Sequence, residues 1–162
     1  APHEEDVDAL AHLANNAAIA TMVSRMPHPY TVRDAADFVR RTNAGEIGKC
    51  VYAITKAENG AFLGCCALEP HANDADTLEL GYWLGEPHWN RGYATEAALA
   101  CVIYGFERLH LPLVLGRATK DNLASIRVLE KIGLHYWRDA DLDGIPAVLY
   151  KAEPNTLLPV QV

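Results

Sequence analysis

Apolar residues recur at helical spacing from the start of the chain, where Val7, Leu10, Ala11 and Leu13 form one stripe and predict a first helix over Glu4 to Ile19. Ala35, Phe38 and Val39 repeat that pattern over Thr31 to Thr42, and Thr31 with Asp34 suits a capped start. The spacing then shortens to that of strands. Val51 to Thr55 and Phe62 to Leu68 read as a hairpin turned by Glu58-Asn59-Gly60, and Thr77 to Leu84 reads as a third strand with Gly81 marking a bulge. Ala97, Ala98, Cys101, Val102 and Phe106 restore helical spacing over Thr95 to Leu109, and Pro112 stops it. Leu113 to Ala118 predicts another strand, and Asp121 or Asn122 can cap a last helix. Leu134 to Trp137 begins a strand, and Asp141-Leu142-Asp143-Gly144 turns into a final one ending near Tyr150.

Between the strand of Glu79 and the long helix lies Trp89-Asn90-Arg91-Gly92-Tyr93-Ala94-Thr95-Glu96-Ala97. A turn that opens a helix exposes unpaired N–H groups and the positive end of the helix dipole, so it favours an anion such as a phosphate. Gly92 and Ala94 keep the approach open. An isolated Gly-x-Ala more often does no more than shape a loop. A second segment, Asn122 to Leu134, adds weight because it follows the apolar run Leu113 to Leu115 and reads Asn122-x-x-Ser125, then Leu129-Glu130-Lys131-Ile132-Gly133.

In order and spacing, Glu79-Leu80-Gly81-Tyr82-Trp83-Leu84, the Asn90 to Ala97 turn and this second segment resemble the GCN5-related N-acetyltransferase (GNAT) superfamily. The branch they resemble most includes the ribosomal-protein N-terminal acetyltransferases. The resemblance is specific over Glu79 to Leu134 and looser from Pro2 to Lys151, where His28-Pro29-Tyr30-Thr31 before a helix also looks like this branch. It implies an α/β fold with a mixed, mostly antiparallel central sheet, splayed parallel strands and helices on both faces. Acetyl-coenzyme A would bind where the strands of Glu79 and Leu115 splay, its pantetheine arm meeting the free backbone groups of Tyr82, Trp83 and Leu84 as a strand would. Its pyrophosphate would rest on the amides of Asn90, Arg91, Gly92, Tyr93, Ala94 and Thr95, with a charge-assisted contact from Arg91. Asn122 would bond the pantetheine arm or fix the strand-to-helix turn.

Acetyl transfer needs a neutral amine, a polarised carbonyl and a stabilised leaving thiolate. The resemblance assigns Glu79 as the base that takes the ammonium proton, usually through water; read without it, Glu79 could equally pair with a neighbouring arginine. Many relatives carry a tyrosine acid where this chain has Leu129. Ser125, one helical turn earlier, is the nearest polar candidate, with Tyr136 in reserve, and a thiol with an ordinary pKa near about 8.5 needs little protonation on leaving. Tyr30 and its loop would shape the acceptor pocket. No cysteine is placed to carry the acetyl group, so direct attack of the amine in a ternary complex is expected. The chain departs from the family at Trp89, where Gln or Arg is usual, at Asn90, where Gly is usual, and at its start, where either the sequence is trimmed or the family's opening strand is absent. Loss of the tyrosine acid and of the opening strand motivates an alternative, a noncatalytic acyl-coenzyme A sensor or interaction module.

Composition sets outer bounds. The chain has 162 residues, half of them apolar, which suits one acetyltransferase domain over residues 1–152 and a surface tail over 153–162. A net charge of −7 argues against nucleic acid, whose binding proteins usually show a basic face. No apolar run is long enough for a membrane span and the start is acidic, so a cytoplasmic protein is expected. Cys50, Cys65, Cys66 and Cys101 sit in apolar segments without metal-ligand spacing, and Cys65 and Cys66 should point to opposite faces of a strand; reduced buried thiols and no metal are expected. The histidines show no triad spacing. The expected partner is an amine-bearing small molecule or a protein N-terminus, and an exposed edge strand could pair two chains as a homodimer.

Overall fold

Two adjacent asparagines divide the predicted first helix. The computed structural model describes residues 1–23, 26–48, 50–71 and 74–156. In it a single turn of 3₁₀ helix at Glu4–Asp6 leads into α1 (Val7–Ala14), and a separate α2 follows (Ala17–Met22). The Asn16 side chain accepts hydrogen bonds from the N–H groups of Ala18 and Ile19 at 2.9 and 3.4 Å, which caps a new helix instead of continuing the old one. Asn15 turns its side-chain oxygen to the Tyr30 N–H at 3.0 Å and so ties the next loop to α1.

Helix α3 (Val32–Asn43) starts at the predicted capping box: Thr31 Oγ1 accepts from the Asp34 N–H at 3.1 Å while Asp34 accepts from the Thr31 N–H at 2.9 Å. The chain then forms β1 (Cys50–Thr55), β2 (Phe62–His71), β3 (Asp74–Leu84), α4 (Tyr93–Glu107), β4 (Val114–Thr119), α5 (Leu123–Lys131), β5 (His135–Leu142) and β6 (Ile145–Ala152). Helix α4 starts two residues before the predicted Thr95, because Gly92 at φ 83° is its N-cap. Of the expected tail, Glu153 to Thr156 forms a turn, and residues 157–162 lie outside the described residues.

The strands form one sheet in the order β1-β2-β3-β4-β6-β5. Every neighbouring pair is antiparallel except β3 and β4. Gly81 makes no bulge: it pairs in register with Ala67, and the β2–β3 ladder slips instead between Pro70 and His71, where proline has no N–H to give.

Apolar side chains on both faces of the sheet are covered. Leu10, Ala11, Ala14, Ala35 and Val39 from α1 and α3 pack with Phe62 and Cys65 on one face. Ala98, Val102 and Leu129 from α4 and α5 pack with Cys66, Leu68, Leu80 and Val114 on the other. Cys65 and Cys66 therefore do point to opposite faces, and all four cysteines are buried and free. Burial is near complete for the large side chains of both layers, with Leu10, Leu63, Leu68, Leu115 and Leu129 each at 2% exposure or less. Among the described residues no helix is long and apolar enough to cross a membrane.

Candidate active site

The parallel pair of strands is short. Strands β3 and β4 pair only at Leu78 with Val114, Glu79 with Leu115 and Leu80 with Gly116. Beyond that point each strand keeps its other neighbour: β3 follows β2 to the Leu84–Gly64 pair, and β4 follows β6 to the Thr119–Ala147 pair. A gap therefore opens in the middle of the sheet. Gly116 at the last rung lets α5 press close, since a Cβ there would lie 2.6 Å from Leu129 Cδ2.

The ladder decides which backbone groups face the gap. The Gly85 N–H donates to the Leu63 carbonyl at 2.8 Å, so by antiparallel alternation Trp83 exchanges its bonds with Cys65, while Tyr82 and Leu84 turn theirs the other way. Of the three residues expected to present backbone to a ligand, Trp83 thus spends its peptide groups on β2. The Leu84 carbonyl in turn accepts the Trp89 indole N–H at 2.9 Å, which gives that unusual Trp89 a structural task. Both groups of Tyr82 and the N–H of Leu84 remain directed at the gap. The Trp83 ring lies on the α1 and α3 side against Phe62, 6.0 Å between centroids.

The turn before α4 has the geometry of an anion cradle. Asn90 at φ 61° and Gly92 at φ 83° are both left-handed, and a Cβ on Gly92 would meet no atom within 4 Å. No side chain caps α4, so the amides of Tyr93, Ala94 and Thr95 lack the partner that Asn16, Thr31 and Asn122 give other helices. Arg91 is exposed beside them, and the Tyr93 ring stands edge-on to His88 at 6.5 Å. Burial and the positive charges of Lys56 and Arg91 hold the His88 imidazole below its ordinary pKa.

Glu79 lies on the middle rung of the parallel pair, on the same face as Trp83. Its Oε1 accepts from Arg117 Nη2 at 2.9 Å and Nε at 3.2 Å, and His71 Nδ1 stands 3.2 Å from the same oxygen. Arg117 Nη2 also stands 3.2 Å from His71 Nδ1, so according to its tautomer the imidazole donates to Glu79 or accepts from Arg117. Arg117 is itself fixed by donating through Nη1 to the Asp141 carbonyl at 2.7 Å. Arg117 and His71 escape a reading of the sequence, because their approach to Glu79 depends on strand register across the sheet.

Ser125 lies on the opposite face, in the first turn of α5. Asn122 caps that helix by accepting from the Ser125 N–H at 3.2 Å, which fixes the serine over the sheet. Ser125 Oγ is 2.8 Å from the Tyr82 hydroxyl, and burial pushes the Tyr82 phenol above its ordinary pKa. Leu129 is 1% exposed in the core. Tyr136 sits on the β5 edge, where its hydroxyl donates to Asp139 at 2.9 Å. Tyr30 is buried against α1 and α3. Among the described residues no group of His, Cys, Asp and Glu could hold a metal ion.

A mixed sheet split at its one parallel pair, with an uncapped glycine turn beside the split, is the architecture of the acetyltransferase (GNAT) fold. The Acetyltransferase (GNAT) domain matches residues 1–135, and the chain belongs to that family. It is 32% identical over 140 residues to YkkB of Bacillus subtilis, covering 86% of this chain and 81% of that protein. Among solved structures, it resembles Mycobacterium smegmatis RimJ in complex with CoA-disulfide, with TM-score 0.79 and 16% identity over 95% of this chain and 80% of that one. It also resembles spermidine N-acetyltransferase from Vibrio cholerae in complex with CoA and spermine, with TM-score 0.76 and 14% identity over 96% and 94% of the two chains. The family uses acetyl-coenzyme A and acetylates amines.

Proposed function

We propose that this chain transfers the acetyl group of acetyl-coenzyme A to a primary amine, the amine attacking the thioester directly while both substrates are bound. The observation that carries this reading is the gap between β3 and β4, with Glu79 on one face of the sheet and Ser125 on the other. A thioester threaded through the gap meets a carboxylate on its amine side and a hydroxyl on its thiol side.

The backbone of Tyr82 and Leu84 would hold the pantetheine arm as a missing strand, with Trp83 lining the acceptor side. The amides from Asn90 to Thr95 would take the pyrophosphate, Arg91 adding charge from the rim. Asn122 supports this by setting the turn from which Ser125 projects. The acetyl donor supplies an activated carbonyl and a stable leaving thiolate. Glu79 then accepts the ammonium proton, directly or through one water, at Oε2, because the three contacts from Arg117 and His71 go to Oε1. Ser125 donates its hydroxyl to the departing sulfur. The acceptor is an amine-bearing small molecule or a protein N-terminus; structures with this fold carry the names spermidine N-acetyltransferase and ribosomal-protein-serine acetyltransferase.

The test is calorimetric titration of acetyl-coenzyme A into the parent chain and Gly92→Trp, followed by free-thiol release over a panel of amines and peptides. Binding by the parent alone, with thiol release on one amine class, is the expected result. Binding without release on any amine would make the chain an acyl-coenzyme A sensor, and no binding would remove the cosubstrate assignment.

A further inference from the structure

We propose that Tyr82 is a positioning residue for the acyl-transfer step: its phenol donates to Ser125 Oγ and leaves the serine proton free to point at the thioester sulfur. The inference rests on the acetyltransferase reading and gives the Tyr82 side chain a task separate from its backbone.

Tyr82 is two residues past Leu80, the last β3 residue paired with β4, so it stands beside the open gap. Its side chain takes the α4 and α5 face and reaches across to α5, where its oxygen lies 2.8 Å from Ser125 Oγ and 3.4 Å from the Ser125 carbonyl. These contacts join one lip of the gap to the helix over the other. The shorter one joins two hydroxyls, and both partners are at least partly buried.

Chemistry sets the direction of the bond. A phenol is a far stronger acid than an alkyl alcohol, and the alcohol oxygen is the better acceptor, so the favoured arrangement has Tyr82 donating and Ser125 accepting. The Ser125 N–H is already engaged by Asn122, which orients the residue from the backbone side. With its oxygen accepting from Tyr82, Ser125 has one proton left to give. A hydroxyl that accepts a hydrogen bond also becomes a better donor, because the two bonds polarise each other. As negative charge grows on the departing sulfur, the Ser125 hydroxyl shares it, and the phenol stabilises the charge passed to the serine oxygen. No covalent bond to the enzyme forms. The C–S bond breaks with its electron pair on sulfur, which leaves as a thiolate hydrogen-bonded by Ser125 and takes its proton from water after release, while Ser125 and Tyr82 keep theirs.

Tyr82→Phe, Ser125→Ala and the double variant would be assayed for thiol release from acetyl-coenzyme A, with spermine and with a short peptide bearing a free N-terminal serine. Tyr82→Phe should lower kcat roughly tenfold while the KM for acetyl-coenzyme A stays within about twofold, the scale of losing one aligned donor. The double variant should be no slower than Ser125→Ala, since the phenol acts only through the serine. An unchanged kcat in Tyr82→Phe, a change confined to KM, or losses that multiply in the double variant would each overturn the proposal. 3-Fluorotyrosine at position 82 keeps the ring and the fold while strengthening the donor. It should hold or raise kcat, and a fall would overturn the proposal whatever the stability of the Phe variant. Absence of release by the parent with these two and with every other amine and peptide of the panel overturns the acetyltransferase reading and this proposal together; release that Tyr82→Phe leaves untouched overturns this proposal alone.

Discussion

Glu79 carries two opposite expectations, and the structure meets one of them. Its sequence position suggests a base, and the alternative was an ion pair with an arginine; the fold supplies Arg117 to Oε1. The pair is only 23% and 16% exposed at its side chains, so removing one partner strands a half-buried charge. Arg117→Met should therefore destabilise the fold by about 1–3 kcal/mol in urea titrations. Adding Glu79→Gln should recover part of that loss, giving a coupling of about 1 kcal/mol or more. Additive losses would mean that the two side chains do not support each other.

At the scale of elements, helix starts were the most legible features and continuity the least. Thr31 and Asp34, Asn122, and the Asp143-Gly144 turn all carry local hydrogen-bonding chemistry that needs no tertiary partner, and each stands where the sequence pointed. Thr31→Ala should cost about 1 kcal/mol of stability through the α3 cap, measured by the shift in urea midpoint; no shift would show the cap to be redundant with packing. The break at Asn15-Asn16 was missed because the apolar stripe runs through it. Gly81 was misread for the converse reason: a glycine in a strand often marks a bulge, but here it keeps register and the slip falls at Pro70. The geometry of the candidate site was legible in its loop and cap residues. It was not legible in Arg117, His71 or the Tyr82 hydroxyl, whose partners lie 38, 8 and 43 residues away along the chain and meet only through sheet register or the seating of α5 on the sheet.

Across the whole molecule, burial on both faces of the sheet gives stability a pH limit. Burial pushes the Tyr30 phenol from 10.0 up to about 12, and the Cys65 thiol from 9.0 up to about 12. Both shifts favour the protonated form in the folded chain. Their contribution is complete below the unfolded values, near 9 for the thiol and 10 for the phenol, and disappears as pH climbs toward about 12. The urea midpoint should accordingly fall between pH 8 and pH 11, less in Tyr30→Phe than in the parent. Equal falls in both would show that Tyr30 does not contribute.

The split in the sheet also governs traffic. With the carboxylate on one side and the serine on the other, the sheet is a partition with a single window. Under the proposed acetyl transfer, the two substrates would reach that window from separate rooms, and neither would have to wait for the other to clear its path. Acceptor choice would then drift through changes around Trp83 and Tyr30 while the donor side, built from a glycine turn and backbone amides, stayed as it is.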